Sequence, residues 1–129
     1  MDTSKEYIDM CEKAYEIQNL KKYSFSNGDY YNEGFLFYID VNNINNGDVN
    51  TFGTEKGENI WLPRQDQLQE LISKDICRLV NGFESYTSNL DSEKNGFADE
   101  YNTYEKLWLA FVMKEKYNKI WNRFKQKWK

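Results

Sequence analysis

The sequence predicts an α+β domain in which a small antiparallel sheet or meander of two to three strands packs with three α-helices. Three observations predict it. Apolar residues recur at helical spacing near both ends of the chain and again after position 63, whereas short aromatic or β-branched runs stand at 29–31, 35–41 and 59–62. The chain has 129 residues, enough for one hydrophobic core, and no linker or internal repeat interrupts it, so 1–129 is expected to be a single domain.

The first helix is expected from Thr3 to about Lys22. Tyr7, Ile8, Cys11, Ala14 or Tyr15, and Gln18 form one stripe, Met10 and Ile17 widen it, and Thr3 with Glu6 matches a capping box. The period then changes. Asp29-Tyr30-Tyr31 and Phe35 to Val41 read as strands joined by a turn at Asn32-Glu33-Gly34, with Phe35, Phe37, Ile39 and Val41 on one side. Residues 42–59 are rich in Asn and Gly and read as a long polar loop with at most one short strand near Val49 to Phe52. A third strand is expected at Asn59 to Leu62. Pro63 suits the first position of a second helix, which Leu68, Leu71, Ile72, Ile76, Leu79, Val80 and Phe83 carry to Asn81 or Ser85. Residues 86–101 then read as a connection. Asn102 with Glu105 caps a last helix from Thr103 to about Trp128, whose centre, Leu107 to Met113, is apolar all round.

Composition narrows the chemistry. The chain is 40% hydrophobic, 17% aromatic and 29% charged, with 17 basic and 21 acidic residues and no histidine. That excludes a Ser-His-Asp triad, a Cys-His dyad, a histidine metal site and a histidine pH switch. Cys11 and Cys77 stand far apart on apolar helix faces, which suits inert reduced thiols of a cytoplasmic protein. The N-terminal MDTSKEYIDM carries acids where a signal peptide needs a basic start, and the longest apolar run, Leu107 to Met113, has seven residues against roughly 20 for a membrane span. A soluble protein without membrane contact is expected.

Oxygen ligands are dense at Asp40, Asn42, Asn43, Asn45, Asn46, Asp48 and Asn50, yet Ile44 and Gly47 break the calcium-loop spacing, and an Asn-rich turn explains the stretch. No Gly-rich phosphate loop occurs. Neither metal nor cofactor is expected, nor an enzyme. Trp61 to Gln67 places Arg64, Asp66 and amide side chains where a strand meets a helix N-terminus, a location suited to recognising a partner or simply to starting the helix.

Charge is uneven. The formal net charge of −4 divides into +6 over residues 114–129, seven basic against one acidic, and −10 over residues 1–113, 10 basic against 20 acidic. In the basic end Tyr117, Trp121, Phe124 and Trp128 would form one aromatic stripe if the helix continues. Such a stripe serves either as the core-facing side of that helix or as a recognition surface for bases, an anionic membrane or a partner groove.

Three stretches, MDTSKEYIDMCEKAYEIQ, IWLPRQDQLQELI and YEKLWLAFVMKEKYNKIWN, resemble small uncharacterised proteins of phages and prophages of Firmicutes. The resemblance implies a phage-derived protein of the bacterial cytoplasm and transfers no catalytic motif. Two functions from different classes then stand as expectations. In the first, a non-catalytic interaction module docks its acidic body on a basic surface of a host or phage protein; its sharpest form is an anti-CRISPR-like inhibitor of a host nucleic-acid-binding defence enzyme. Asp29, Glu33, Asp40, Asp48, Glu55, Glu58, Arg64 and Asp66 are its candidate contacts. In the second, an accessory of phage DNA metabolism or packaging contacts nucleic acid through Lys116, Lys119, Trp121, Arg123, Lys127 and Trp128.

Overall fold

The computed structural model describes residues 1–21, 29–32, 36–38, 60–93 and 101–129, with side chains omitted at 36–38 and 91–93. The expected loop at 42–59, the strand near Val49, the turn residues 33–34 and the Phe35, Phe37, Ile39 and Val41 face lie outside what is described. The fold is mixed α+β, and its contacts gather into two compact units: Thr3–Arg64, here the N-terminal unit, and Gln65–Lys129 with Met1–Asp2, the C-terminal unit.

In the N-terminal unit the expected first helix is two: α1 (Lys5–Lys13) and α2 (Tyr15–Lys21). The cap is Ser4 rather than Thr3; its hydroxyl accepts the Tyr7 N–H at 3.3 Å. Tyr7, Met10, Cys11, Ala14 and Ile17 are wholly buried, so the apolar stripe survives the break between the helices. At Ala14 the backbone leaves helical geometry (φ −84°, ψ 66°) while its N–H still reaches the carbonyls of Met10 and Cys11. Its own carbonyl accepts from Ile17 and Gln18 and opens the second helix. Neither Pro nor Gly marks this break, and a side chain shares a carbonyl that the break leaves without its partner in a continuous helix. Gln18 Nε2 donates to Cys11 O at 3.1 Å.

The sheet of this unit has β1 (Tyr30–Asn32) at its centre, flanked by β2 (Leu36–Tyr38) and β3 (Ile60–Leu62), both antiparallel to it. It is therefore a three-stranded antiparallel sheet but not a meander, because the last strand pairs with the first. Tyr31 faces Phe37 on one side and Trp61 on the other. Buried Tyr7 donates its hydroxyl to the carbonyl of Pro63 at 2.6 Å, joining α1 to the residue after β3.

The C-terminal unit holds α3 (Gln65–Ile72), α4 (Ile76–Glu93), α5 (Tyr104–Tyr117) and a hairpin of β4 (Trp121–Asn122) and β5 (Lys127–Trp128). Pro63 stands two residues ahead of α3 rather than at its first position. The single helix expected from Pro63 is interrupted at 73–75, where Asp75 turns and caps: its N–H donates to Ser73 Oγ at 3.0 Å, and its carboxylate accepts the N–H groups of Cys77 (2.9 Å) and Arg78 (3.3 Å). Because α4 restarts there, the expected face is split. Leu68 is wholly buried, but Ile76 and Val80 are 74% and 55% exposed and Cys77 is exposed, against the expectation that it is core.

α4 also runs to Glu93, through part of the expected connection. Phe83 stacks flat on Trp108 (centroids 4.0 Å, planes 5° apart), and Tyr86 lies 5.2 Å from Phe111, so aromatic packing on α5 holds the added turns. Gly82 makes room for this: a β-carbon there would meet the Phe111 ring at 3.3 Å. Burial pushes the Tyr86 phenol above its ordinary value, with Tyr101 and Glu115 adding to the shift.

α5 carries the apolar core expected of it, with Trp108 to Met113 all buried. Its cap is Thr103 rather than Asn102; Thr103 accepts the Lys106 N–H and donates to the Asp2 carboxylate. Lys106, 3% exposed, is held by Asn102 Oδ1 at 2.8 Å and by Asp2 at 3.8 Å, so the buried ammonium is paired. The helix ends eleven residues before the expected Trp128. Asn118 adopts the left-handed conformation (φ 53°, ψ 39°), its N–H bonds Lys114 O, and Lys119 N–H bonds Met113 O, closing the helix end.

Candidate functional site

The end of α5 therefore feeds a β-ribbon. Ile120 and Lys129 exchange both backbone hydrogen bonds (2.8 and 3.0 Å), which makes the next pair, Trp121 and Trp128, a close non-hydrogen-bonded pair. Their rings meet at 5.1 Å, tilted by 57°. Trp121 is 3% exposed and Trp128 half-buried, so these two indoles anchor the ribbon rather than present it. The turn is Arg123-Phe124-Lys125-Gln126. Asn122 Oδ1 accepts the Lys125 N–H at 2.8 Å, and Gln126 takes a left-handed backbone (φ 45°).

This geometry overturns the continuous aromatic stripe at helical spacing. Tyr117 closes α5, Trp121 and Trp128 face one another across the ribbon, and Phe124 stands at the tip, 101% exposed. Phe124 stood in the expected stripe but not among the expected nucleic-acid contacts, which also omitted the exposed Lys125 and Lys129 and half-exposed Ile120. The signal for it was Asn118, the residue after glycine most ready to end a helix, followed by Asn122 three positions before Lys125.

The expected nucleic-acid contacts divide accordingly. Lys116, Arg123 and Lys127 are exposed, Lys119 is intermediate, and the two tryptophans are structural. Lys116 also donates to the Leu71 carbonyl at 3.1 Å, tying the end of α5 to α3. Residues 116–129 carry Lys116, Lys119, Arg123, Lys125, Lys127 and Lys129 and no acid. Lys125, Lys127 and Lys129 have no ion pair among the described residues. The ribbon concentrates one sign of charge around one bare aromatic ring.

The expected acidic contacts come together less well. Asp29 is wholly buried and bonded to Lys21 at 2.8 Å, so it belongs to the interior of the N-terminal unit and not to a docking surface. The same ammonium lies 5.2 Å over the Trp61 ring. Burial, with Asp29 adding to it, also raises the Tyr31 phenol above its ordinary value. Glu33, Asp40, Asp48, Glu55 and Glu58 lie outside the described residues. Arg64 is intermediate at the end of the N-terminal unit, and Asp66 is exposed in the first turn of α3.

Among the described residues no cluster of three or more Cys, Asp or Glu is disposed to hold a metal, and no helix is long and apolar enough to cross a membrane. Comparison with protein-family profiles, curated proteins and solved structures finds no match to this chain.

Proposed function

We propose that the chain is a non-catalytic phage-derived binding protein that engages nucleic acid through its C-terminal ribbon, as an accessory of phage DNA metabolism or packaging. The observation that carries this reading is the run of six cations from Lys116 at the end of α5 to Lys129, without an acid, leading into and along a ribbon anchored by the contact of buried Trp121 with half-buried Trp128. Lysine and arginine bind phosphates by releasing condensed counterions, so affinity follows the number of cations engaged. The −10 of residues 1–113 opposes this only over short range, because the screening length is about 10 Å at 0.1 M salt.

Fluorescence anisotropy with a labelled oligonucleotide over a salt series tests the reading. The logarithm of affinity should fall linearly with the logarithm of salt, and Lys127→Gln should flatten the slope by about 0.7 for a single strand. Absence of binding at low salt would refute it.

The acidity of residues 1–113 supports a second reading, an anti-CRISPR-like inhibitor that docks on a basic host protein. Addition of the chain to a purified CRISPR nuclease should then release bound DNA, more weakly as salt rises. A nuclease that keeps its DNA at every salt concentration removes that target.

A further inference from the structure

We infer that the ribbon tip is a base-stacking site selective for single-stranded over double-stranded nucleic acid, with Phe124 as the stacking ring; this rests on the nucleic-acid reading above. Phe124 stands where an aromatic residue is unusual. Tight turns are ordinarily built from Gly, Asn, Asp, Ser and Pro, residues chosen for backbone reasons. Here a phenylalanine occupies the turn at 101% exposure, so among the described residues its ring packs neither on the ribbon nor elsewhere.

The two other ribbon aromatics show the contrast. Trp121 and Trp128 lie on each other at 5.1 Å and hold the strands together, leaving Phe124 with no structural task. The turn that presents it is fixed from both sides, by the 2.8 Å bond from Lys125 N–H to Asn122 Oδ1 and by the left-handed Gln126. Because the backbone of the turn is already fixed, ordering on binding is confined to the two side-chain torsions of Phe124, which favours a specific contact.

Arg123 and Lys125 precede and follow Phe124 in the turn, and both are exposed. An exposed aromatic residue with a cation before and after it in the turn matches the chemistry of an unpaired nucleotide, a flat base with phosphates on either side. A duplex offers the same phosphates, but its bases are already stacked, and admitting a ring between them requires unstacking. The cations therefore serve both forms of nucleic acid, while Phe124 serves only the strand whose bases are available.

The test uses the full chain and its Phe124→Ala variant with three probes: an oligothymidine, a duplex of equal length, and vesicles containing phosphatidylserine. The wild type should bind the oligothymidine more tightly than the duplex at equal salt. Phe124→Ala should weaken oligothymidine binding about tenfold and leave its salt slope unchanged, because the phosphate contacts remain. Equal wild-type affinity for both forms, or an equal loss from both in the variant, overturns the stacking site while leaving the polyanion reading in place. No binding to either nucleic acid overturns both. Vesicle binding without nucleic-acid binding assigns the exposed ring to a lipid surface and likewise overturns the inference.

Discussion

The molecule uses strands twice, and the two uses differ in what is left open. In the three-stranded sheet of the N-terminal unit, Trp61 of the flanking strand β3 is 3% exposed, and the backbone it would otherwise present at the edge is closed by one side chain. Gln18 accepts the Trp61 N–H at 2.8 Å and donates to the Trp61 carbonyl at 2.9 Å, imitating a fourth strand. In the C-terminal ribbon a buried tryptophan also anchors the strand, but nothing in the described residues covers the tip, and cations and a bare phenyl ring stand there. An aromatic pair across two strands thus marks scaffold in both places, Tyr31 with Trp61 and Trp121 with Trp128. The functional signal is the aromatic that escapes the pairing.

Removal of the anchors should have the largest effect. Trp61→Ala and Trp121→Ala should each cost about 3–5 kcal/mol, as large buried aromatics do, measured by urea unfolding. Trp121→Ala should also abolish oligonucleotide binding, because the ribbon loses the residue that holds it, whereas any Trp61→Ala chain that stays folded should keep binding. Equal loss of binding in both folded variants would erase the functional distinction between the two strand pairs.

Gln18→Ala should come next, at about 2–3 kcal/mol, since it strands the buried N–H and carbonyl of Trp61 and removes a donor from Cys11. Gln18→Glu tests the mechanism more closely. The carboxylate still accepts the Trp61 N–H but cannot donate to either carbonyl, so its unfolding midpoint should also fall below that of the wild type at pH 7. A variant as stable as the wild type would show that the edge closure contributes nothing.

A third effect is confined to alkaline solution and acts on both units. Tyr31 and Tyr86 have phenols raised by burial above the unfolded value of about 10. Their neutral forms are favoured in the folded state, so their contribution is fully present below that unfolded value. It is lost as pH rises through the raised folded values. The urea midpoint should therefore hold up to pH 9 and fall above pH 10, with the fall reduced in Tyr31→Phe and Tyr86→Phe.

Much of the scaffold was legible. Apolar spacing located α1 and the core of α5, and aromatic runs located all three strands of the sheet, because burial of one face imposes a period on the sequence. The breaks were harder. Ala14 interrupts a helix without being a breaker, and Gln18, which bonds Cys11 O beside the break, is tied to distant Trp61, a tertiary bond no local pattern records. Asp75 and Asn118 were readable as a helix cap and a helix stop, but the apolar spacing on either side of each was regular enough to mask them. The same fault concealed the site: at helical spacing Phe124 belonged to a stripe with Trp121 and Trp128, and only the ribbon separates the ring that is free to bind from the rings that are not.

Two substitutions at the ribbon turn should have small effects on stability. Gln126 holds a left-handed backbone at φ 45°, which costs a side chain-bearing residue about 1 kcal/mol relative to glycine. Gln126→Gly should raise the unfolding free energy by up to that amount and leave binding in place. Phe124→Ala should do the reverse. The ring buries nothing in the folded chain, so its removal should leave the melting temperature within about 2 °C of the wild type. A clear loss of stability would mean that Phe124 packs in solution and belongs with Trp121 and Trp128 as scaffold. An unchanged melting temperature together with weakened single-strand binding would separate the presented aromatic from the anchoring pair by measurement, the separation that the two sets of strands make by geometry.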